Sequence, residues 1–377
     1  MPVDIDPFYA IEINKLAHVL KGQGRSIIHM EYGQPSEGAP RKAVDVAHQV
    51  LDCDHMGYWE STELKQGLAQ HYRARYGLDI DPERFVLTCG ASPALVLALT
   101  VGFDAGQTIA TARPGYVAYR NTVKALHLNM LEIPCNATTR YQLAASHLEN
   151  LPVAPDGVII ASPANPTGTI IEADELARIA GVCRQRGITL VSDEIYHGLS
   201  YTGPAETVLH YDPQAFVVGS FSKYFGMPAW RLGWLLAPEA QVARARAYVG
   251  NLFLTAPSLS QHAGLAALDS REELDARVGV YRANRDLLLK ALPKLGLEKI
   301  APPDGAFYIY ADIGHLTHDS LSFCRQLLLD TGVATAPGID FDPVDGHHHI
   351  RLSFAVTTEE TVDAIARLER WFAQRHA

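Results

Sequence analysis

Short apolar runs separated by amphipathic stretches dominate the middle of the chain. FVLTC, QTIATA, GVIIAS, ITLVSD, FVVGSFS and LGWLLA each have the length of a strand buried on both faces. Between them, Pro93 to Val101, Tyr116 to Leu126 and Ala173 to Arg186 carry helical spacing. This alternation predicts an α/β sheet, largely parallel and covered by helices. FVVGSFS and LGWLLA are too close together for a crossover helix, so an antiparallel pair is expected there.

The flanks differ. Phe8, Ile13, Leu16, Ala17 and Leu20 mark a short amphipathic helix, followed by an extended SIIHMEYGQP and a long helix over about Thr62 to Tyr76. An interrupted helical region runs from near Glu239 past Tyr281. Beyond about Leu295, GAFYIYADI and HHIRLSFAV read as strands, with helices at Ser320 to Leu329 and Thr358 to Gln374. That piece has α+β character, and the N-terminal segment is expected to pack with it.

Composition narrows the class of protein. With 47% hydrophobic and 20% charged residues, the 377-residue chain resembles a soluble globular protein large enough for two domains. Its net charge of −10 argues against nucleic acid or anionic membrane as the main partner. The N-terminus has acidic residues where a signal peptide needs basic ones, and no apolar run reaches the roughly 20 residues of a membrane span. Five scattered cysteines read as free thiols, which fits a cytoplasmic protein.

The strongest chemical signal is Ser220-Phe221-Ser222-Lys223, followed by Gly226 and by Arg231-Leu232-Gly233. A lysine at the end of a buried strand loses hydration, which favours the neutral amine that attacks an aldehyde to form a Schiff base. Two serine hydroxyls and a guanidinium eight residues on can bind a phosphate dianion. A surface lysine in a polar turn would explain SxSK alone, but not the added Arg231 and glycines.

Other residues extend the pattern. Asp193 ends the strand in ITLVSDEIYHG, where α/β sheets bind ligands, although a local capping role would also account for it. Thr88-Cys89-Gly90-Ala91-Ser92-Pro93 joins a strand to a helix, so backbone N–H groups there can meet an anion; Ser92 as a plain cap is the alternative. Ala161-Ser162-Pro163-Ala164-Asn165-Pro166-Thr167-Gly168 is a rigid turn. Arg351, inside the apolar HHIRLSFAV, must meet a carboxylate, either internal or on a ligand. The His347-His348-His349 run and the Asp340 to Gly346 stretch read as loop structure, and no metal site is expected.

SFSKYFGMPAWRLGW resembles the cofactor-attachment signature of the class I/II aminotransferases, which are fold-type I pyridoxal-phosphate enzymes. The similarity runs from Gly33 to Arg351, with the motifs in the family's order. It implies a mostly parallel seven-stranded sheet in a large domain over residues 42–285. A smaller α+β domain is expected from residues 1–41 and 286–377. The resemblance also implies pyridoxal 5'-phosphate on Lys223, with Asp193 at the ring nitrogen and Tyr116 stacked on the ring. Tyr196 and the Asn165 amide would meet the phenolic oxygen. Gly90, Ala91, Ser92, Ser220, Ser222 and Arg231 would surround the phosphate, with Gly33, Asn165 and Arg351 around the substrate carboxylate. Tyr58, with a shortened spacing after it in GYWESTELK, would reach the phosphate of a neighbouring subunit in a homodimer.

The implied reaction is ping-pong transfer of an amino group between an L-α-amino acid and a 2-oxo acid. A carbon–sulfur β-lyase on the same scaffold is the alternative, and a non-enzymatic regulator a more distant one. No second arginine for a distal carboxylate is identified, which suggests a broad or apolar preference, with aspartate or glutamate as alternative donors. Trp59, Trp230, Tyr308 and Asn251-Leu252-Phe253-Leu254 are candidate pocket residues.

Overall fold

A computed structural model describes residues 3–53 and 56–375. Its centre is a seven-stranded sheet. In spatial order the strands are Phe85–Thr88, Gly233–Leu236, Phe216–Ser220, Thr189–Asp193, Gly157–Ala161, Thr108–Arg113 and Asn129–Pro134. Gly233–Leu236 is antiparallel to both neighbours, and the remaining pairs are parallel. The close spacing of FVVGSFS and LGWLLA therefore had the topological consequence expected of it.

The edge strand Asn129–Pro134 has no counterpart among the apolar runs. Asn129 and Pro134 are exposed and only Ile133 is fully buried, so its composition is that of a sheet edge rather than of an interior strand. The helix Arg41–Cys53 was equally hidden, because it buries only Ala43, Ala47 and Val50 and has charges between them. By contrast, Thr62–Tyr76 and Ala173–Arg186 occupy the expected residues. Ser61 caps the first of these by accepting from the Leu64 amide, and Gly77 in the left-handed region ends it.

This topology determines which residues meet. The strands ending at Ala161, Asp193 and Ser220 point the same way, as does the strand ending at Thr88. Their carboxyl ends form one crevice edge. Gly233–Leu236 runs the opposite way, so its amino end, just after Arg231, reaches that same edge. The pairings Ser220↔Gly233 and Thr88↔Gly233 set this register. Segments separated by more than a hundred residues thereby converge on one place.

Tyr308–Asp312, His349–Ser353 and Ala336–Pro337 form an antiparallel sheet beside the large one. Ile28–His29 pairs in parallel with Val333–Ala334, and Ala10 of the helix Tyr9–Gly22 packs in a cluster with Tyr310, Ala336 and Phe341. The amino-terminal segment thus packs against the C-terminal α+β elements. Asp340 caps that first helix, accepting from the amides of Tyr9 (2.7 Å) and Ala10 (2.8 Å), while Asp342 lies 3.2 Å from the Arg113 guanidinium. Among the described residues no helix is long and apolar enough to cross a membrane.

Candidate active site

A cavity of about 330 Å³ opens at the crevice edge. Ala91, Ser92 and Tyr116 line it from the starts of the helices Ala91–Gly102 and Val117–Ala125, and Asn165, Asp193 and Tyr196 from the ends of two central strands and the turns after them. Ser222, Lys223 and Arg231 come from the antiparallel connection, Gly33 and Arg351 from the amino- and carboxyl-terminal parts. Ser220 lies directly behind, donating from Oγ to the Ser222 Oγ at 2.9 Å and accepting from the Ser222 amide at 3.0 Å. Gly90 abuts Arg231: a Cβ there would come within 2.4 Å of Nη2.

One end of the cavity suits an anion. Ala91–Gly102 begins there without a side-chain cap, leaving its first N–H groups available. Arg231 lies in the left-handed region (φ 52°), a conformation that costs a non-glycine residue about 1–3 kcal/mol. Its guanidinium is fixed by donating to the carbonyls of Pro228 (2.8 Å) and Cys89 (3.0 Å).

In the centre, Asp193 accepts from Tyr119 Oη at 2.6 Å and from the Ile195 amide at 3.2 Å. Burial raises its carboxyl to about 6, opposed first by the Tyr119 hydrogen bond, then by the Ile195 amide and Lys223. The local turn contact expected of an aspartate after a strand and a place in the cavity therefore coexist in one side chain. Lys223 Nζ donates to the Gly33 carbonyl at 2.6 Å. Burial lowers its amine to about 8, with the Arg351 and Arg231 charges acting the same way and Asp193 opposing them.

At the other end, Arg351 is 2% exposed and lies over the rings of Tyr308 and Phe341, at 4.4 and 4.7 Å. It donates to Asn165 Oδ1 at 2.8 Å and to the Glu31 carbonyl at 2.5 Å. Because arginine only donates, Asn165 must turn its oxygen toward it, which leaves the amide nitrogen free to donate elsewhere. Tyr196 Oη and Tyr308 Oη are 2.8 Å apart. Gly33 fits tightly here, since a Cβ would fall 1.7 Å from Tyr308 Oη.

Some candidates lie elsewhere. Tyr58 is 84% exposed and does not line the cavity, nor do Trp59, Trp230 or residues 251–254. Trp59 instead stacks on His262, and Leu252 and Leu254 are exposed. Phe8, Tyr32, Gln34 and Tyr119 line the cavity without having been singled out from sequence. Tyr119 follows Tyr116 at the three-residue spacing that places side chains on one helical face, the one signal available.

The sequence model of the family "Aminotransferase class I and II" matches residues 28–368. The chain belongs to this family. It is a pyridoxal-phosphate-dependent aminotransferase. A Mycobacterium tuberculosis protein named valine–pyruvate aminotransferase is 41% identical over 374 residues, covering 97% of this chain and 96% of its own. A crystal structure of an aminotransferase from Mycobacterium tuberculosis superposes with a TM-score of 0.96 at 40% identity, over 98% of this chain and 97% of the other. Thermus thermophilus aspartate aminotransferase with maleate gives 0.91 at 28% identity, over 97% of each chain.

The residues present fit the cofactor. Lysine, arginine and arginine face a single carboxylate in the cavity wall, and this excess of positive charge within an acidic chain suits a phosphate together with a substrate carboxylate.

Proposed function

We propose that this aminotransferase exchanges amino groups between apolar L-α-amino acids and 2-oxo acids in a ping-pong cycle centred on Lys223, Asp193 and Arg351. Pyridoxal phosphate, when bound, supplies an aldehyde that captures the amino group and a protonated ring that withdraws electrons from Cα. Lys223 would hold that aldehyde between turnovers, and its amine, when free, would serve as the base for the substrate Cα proton. Asp193 would keep the ring nitrogen protonated, Tyr196 and the Asn165 amide would meet the phenolic oxygen, and Tyr116 would support the ring. Gly90, Ala91, Ser92, Ser220, Ser222 and Arg231 receive the phosphate. Arg351, with Gly33 and Asn165 beside it, receives the substrate carboxylate.

Arg351 carries this reading. A buried guanidinium normally has a carboxylate of its own, yet among the described residues it has carbonyl-type acceptors only, and it opens on the same cavity as Lys223. The apolar preference is supported by the rest of the wall. Lys223, Arg231 and Arg351 are its cations, all engaged by the roles above, while Phe8, Tyr32, Leu95 and Ala118 are apolar or aromatic. A distal carboxylate would be desolvated there without a partner.

With pyruvate as acceptor, valine, leucine or alanine should therefore exceed aspartate in kcat/KM by at least about tenfold. Aspartate as the faster donor would overturn the apolar assignment. Pyruvate and ammonia released from a thioether amino acid without any acceptor would instead indicate elimination.

The same proposal includes a cytoplasmic homodimer. All five cysteines are free thiols, which suits a reducing compartment. Tyr58, Trp59, Leu252 and Leu254 are exposed, and the neighbouring Thr255 carbonyl accepts from Cys89 Sγ at 3.7 Å, beside the Cys89 carbonyl that holds Arg231. Thr255 Oγ1 donates to the Trp59 carbonyl at 2.6 Å, tying that surface together, and Arg231 is itself exposed. A second copy would cover this apolar area and bring its Tyr58 toward the phosphate. Leu252→Asp with Leu254→Asp should shift sedimentation from dimer to monomer and reduce cofactor retention. A wild-type monomer with full activity at low concentration would contradict the arrangement.

A further inference from the structure

We infer that Tyr119 is a positioning residue of the reaction: its hydroxyl holds the Asp193 carboxylate ionised and aimed into the cavity. This rests on the reading of Asp193 as the partner of the ring nitrogen. Tyr119 is 5% exposed in the helix Val117–Ala125, packed in a cluster with Leu95, Val123 and Ile159, and its Oη reaches Asp193 Oδ2 at 2.6 Å. Among the described residues the other carboxylate oxygen accepts one hydrogen bond, the longer 3.2 Å bond from the Ile195 amide. Within a buried site, an ionised carboxylate with a single weak donor reverts to the neutral acid. A neutral acid cannot keep a pyridine nitrogen protonated.

The surrounding charges do not remove the need for this donor. Lys223 faces Asp193 from the end of strand Phe216–Ser220 and favours the ionised form, but its own amine is lowered to about 8 and becomes consumed once the cofactor is attached. Glu194, on the same segment as Asp193, carries its own charge away to Ser192, Thr207 and the Val208 amide. The Tyr116 hydroxyl also lies close enough to sense Asp193, but no hydrogen bond joins them. Tyr119 is the short, charge-assisted contact, and toward an ionised carboxylate, which only accepts, its hydroxyl is the donor.

The test follows the Asp193 carboxyl carbon by NMR in cofactor-free protein labelled at aspartate. Tyr119→Phe should raise its titration midpoint by about one pH unit or more. Incorporation of 3-fluorotyrosine at position 119, a stronger donor of the same shape, should lower it, and this variant keeps the test decisive if Tyr119→Phe folds poorly. In the loaded enzyme, Tyr119→Phe should move the acid limb of kcat to higher pH while the KM for the amino acid changes less than about twofold. An Asp193 midpoint unmoved by both variants overturns the inference. A midpoint that moves as expected with an unchanged acid limb leaves Tyr119 in its role and overturns Asp193 as the partner of the ring nitrogen.

Discussion

Replacing Lys223 by alanine is expected to lower turnover at least about 10⁴-fold and to remove the long-wavelength absorbance of lysine-bound cofactor. Two separate losses combine. On the proposed reading the covalent anchor would disappear, and with it the amine that would take the Cα proton. Lys223→Arg separates this chemistry from simple charge: it keeps a cation beside Asp193, but a guanidinium neither attacks the aldehyde nor gives up a proton near neutral pH. It should be as inactive as alanine. An arginine variant retaining more than about a hundredth of wild-type turnover would mean that Lys223 acts through its charge. The lowered amine adds a second measurement in the cofactor-free enzyme. Its neutral, nucleophilic form gains population as pH rises through about 8, so the rate of cofactor attachment should climb over that interval and level off above it. A rate that keeps climbing to pH 10 would place the amine at its ordinary value. Among the described residues the Lys223 side chain makes one hydrogen bond, to the Gly33 carbonyl, so the fold should survive either substitution.

How much of this was legible in the chain depends on where chemistry is written. Lys223, Asp193 and Asn165 follow buried strands, so their placement at one edge follows from strand direction, and strand direction from the spacing of apolar runs. Arg231 required one further step. Its approach to Ser220 depends on an antiparallel turn, and the short interval between two strands already demanded one. Tyr119 and Phe8 could not be read the same way. Tyr119 lies in a helix and Phe8 directly before one; each is indistinguishable in sequence from an aromatic residue that fills a core, and each becomes part of the site only through partners 74 and 108 residues away, Asp193 and Tyr116. The Glu31 carbonyl that fixes Arg351 is a backbone atom, for which no side-chain pattern exists. Trp59 and residues 251–254 show the converse ambiguity. They could be read as pocket or as core; Trp59, Leu252 and Leu254 are exposed, while Phe253 packs against the buried cluster that includes Val249 and Leu99.

Arg351→Gln should reduce kcat/KM for amino acids by about 10²- to 10³-fold, with most of the change in KM, while the absorbance of cofactor on Lys223 stays as in the wild type. Glutamine is the informative choice because its amide still donates to Asn165 Oδ1 or the Glu31 carbonyl, which keeps those acceptors satisfied and Asn165 turned as before. What it lacks is the charge and the paired donors that grip a carboxylate on two oxygens. The loss should therefore track that group. A primary amine without a carboxylate gains nothing from Arg351 and should react with the bound cofactor equally slowly in both enzymes. An equal loss for amine and amino acid would mean that Arg351 supports the shape of the cavity instead of binding substrate. Arg351→Lys tests the geometry further. A lysine restores a positive charge but as a point donor, and without the planar contact over Tyr308 and Phe341 it should recover only part of the affinity. Full recovery would show that charge alone is what the carboxylate meets.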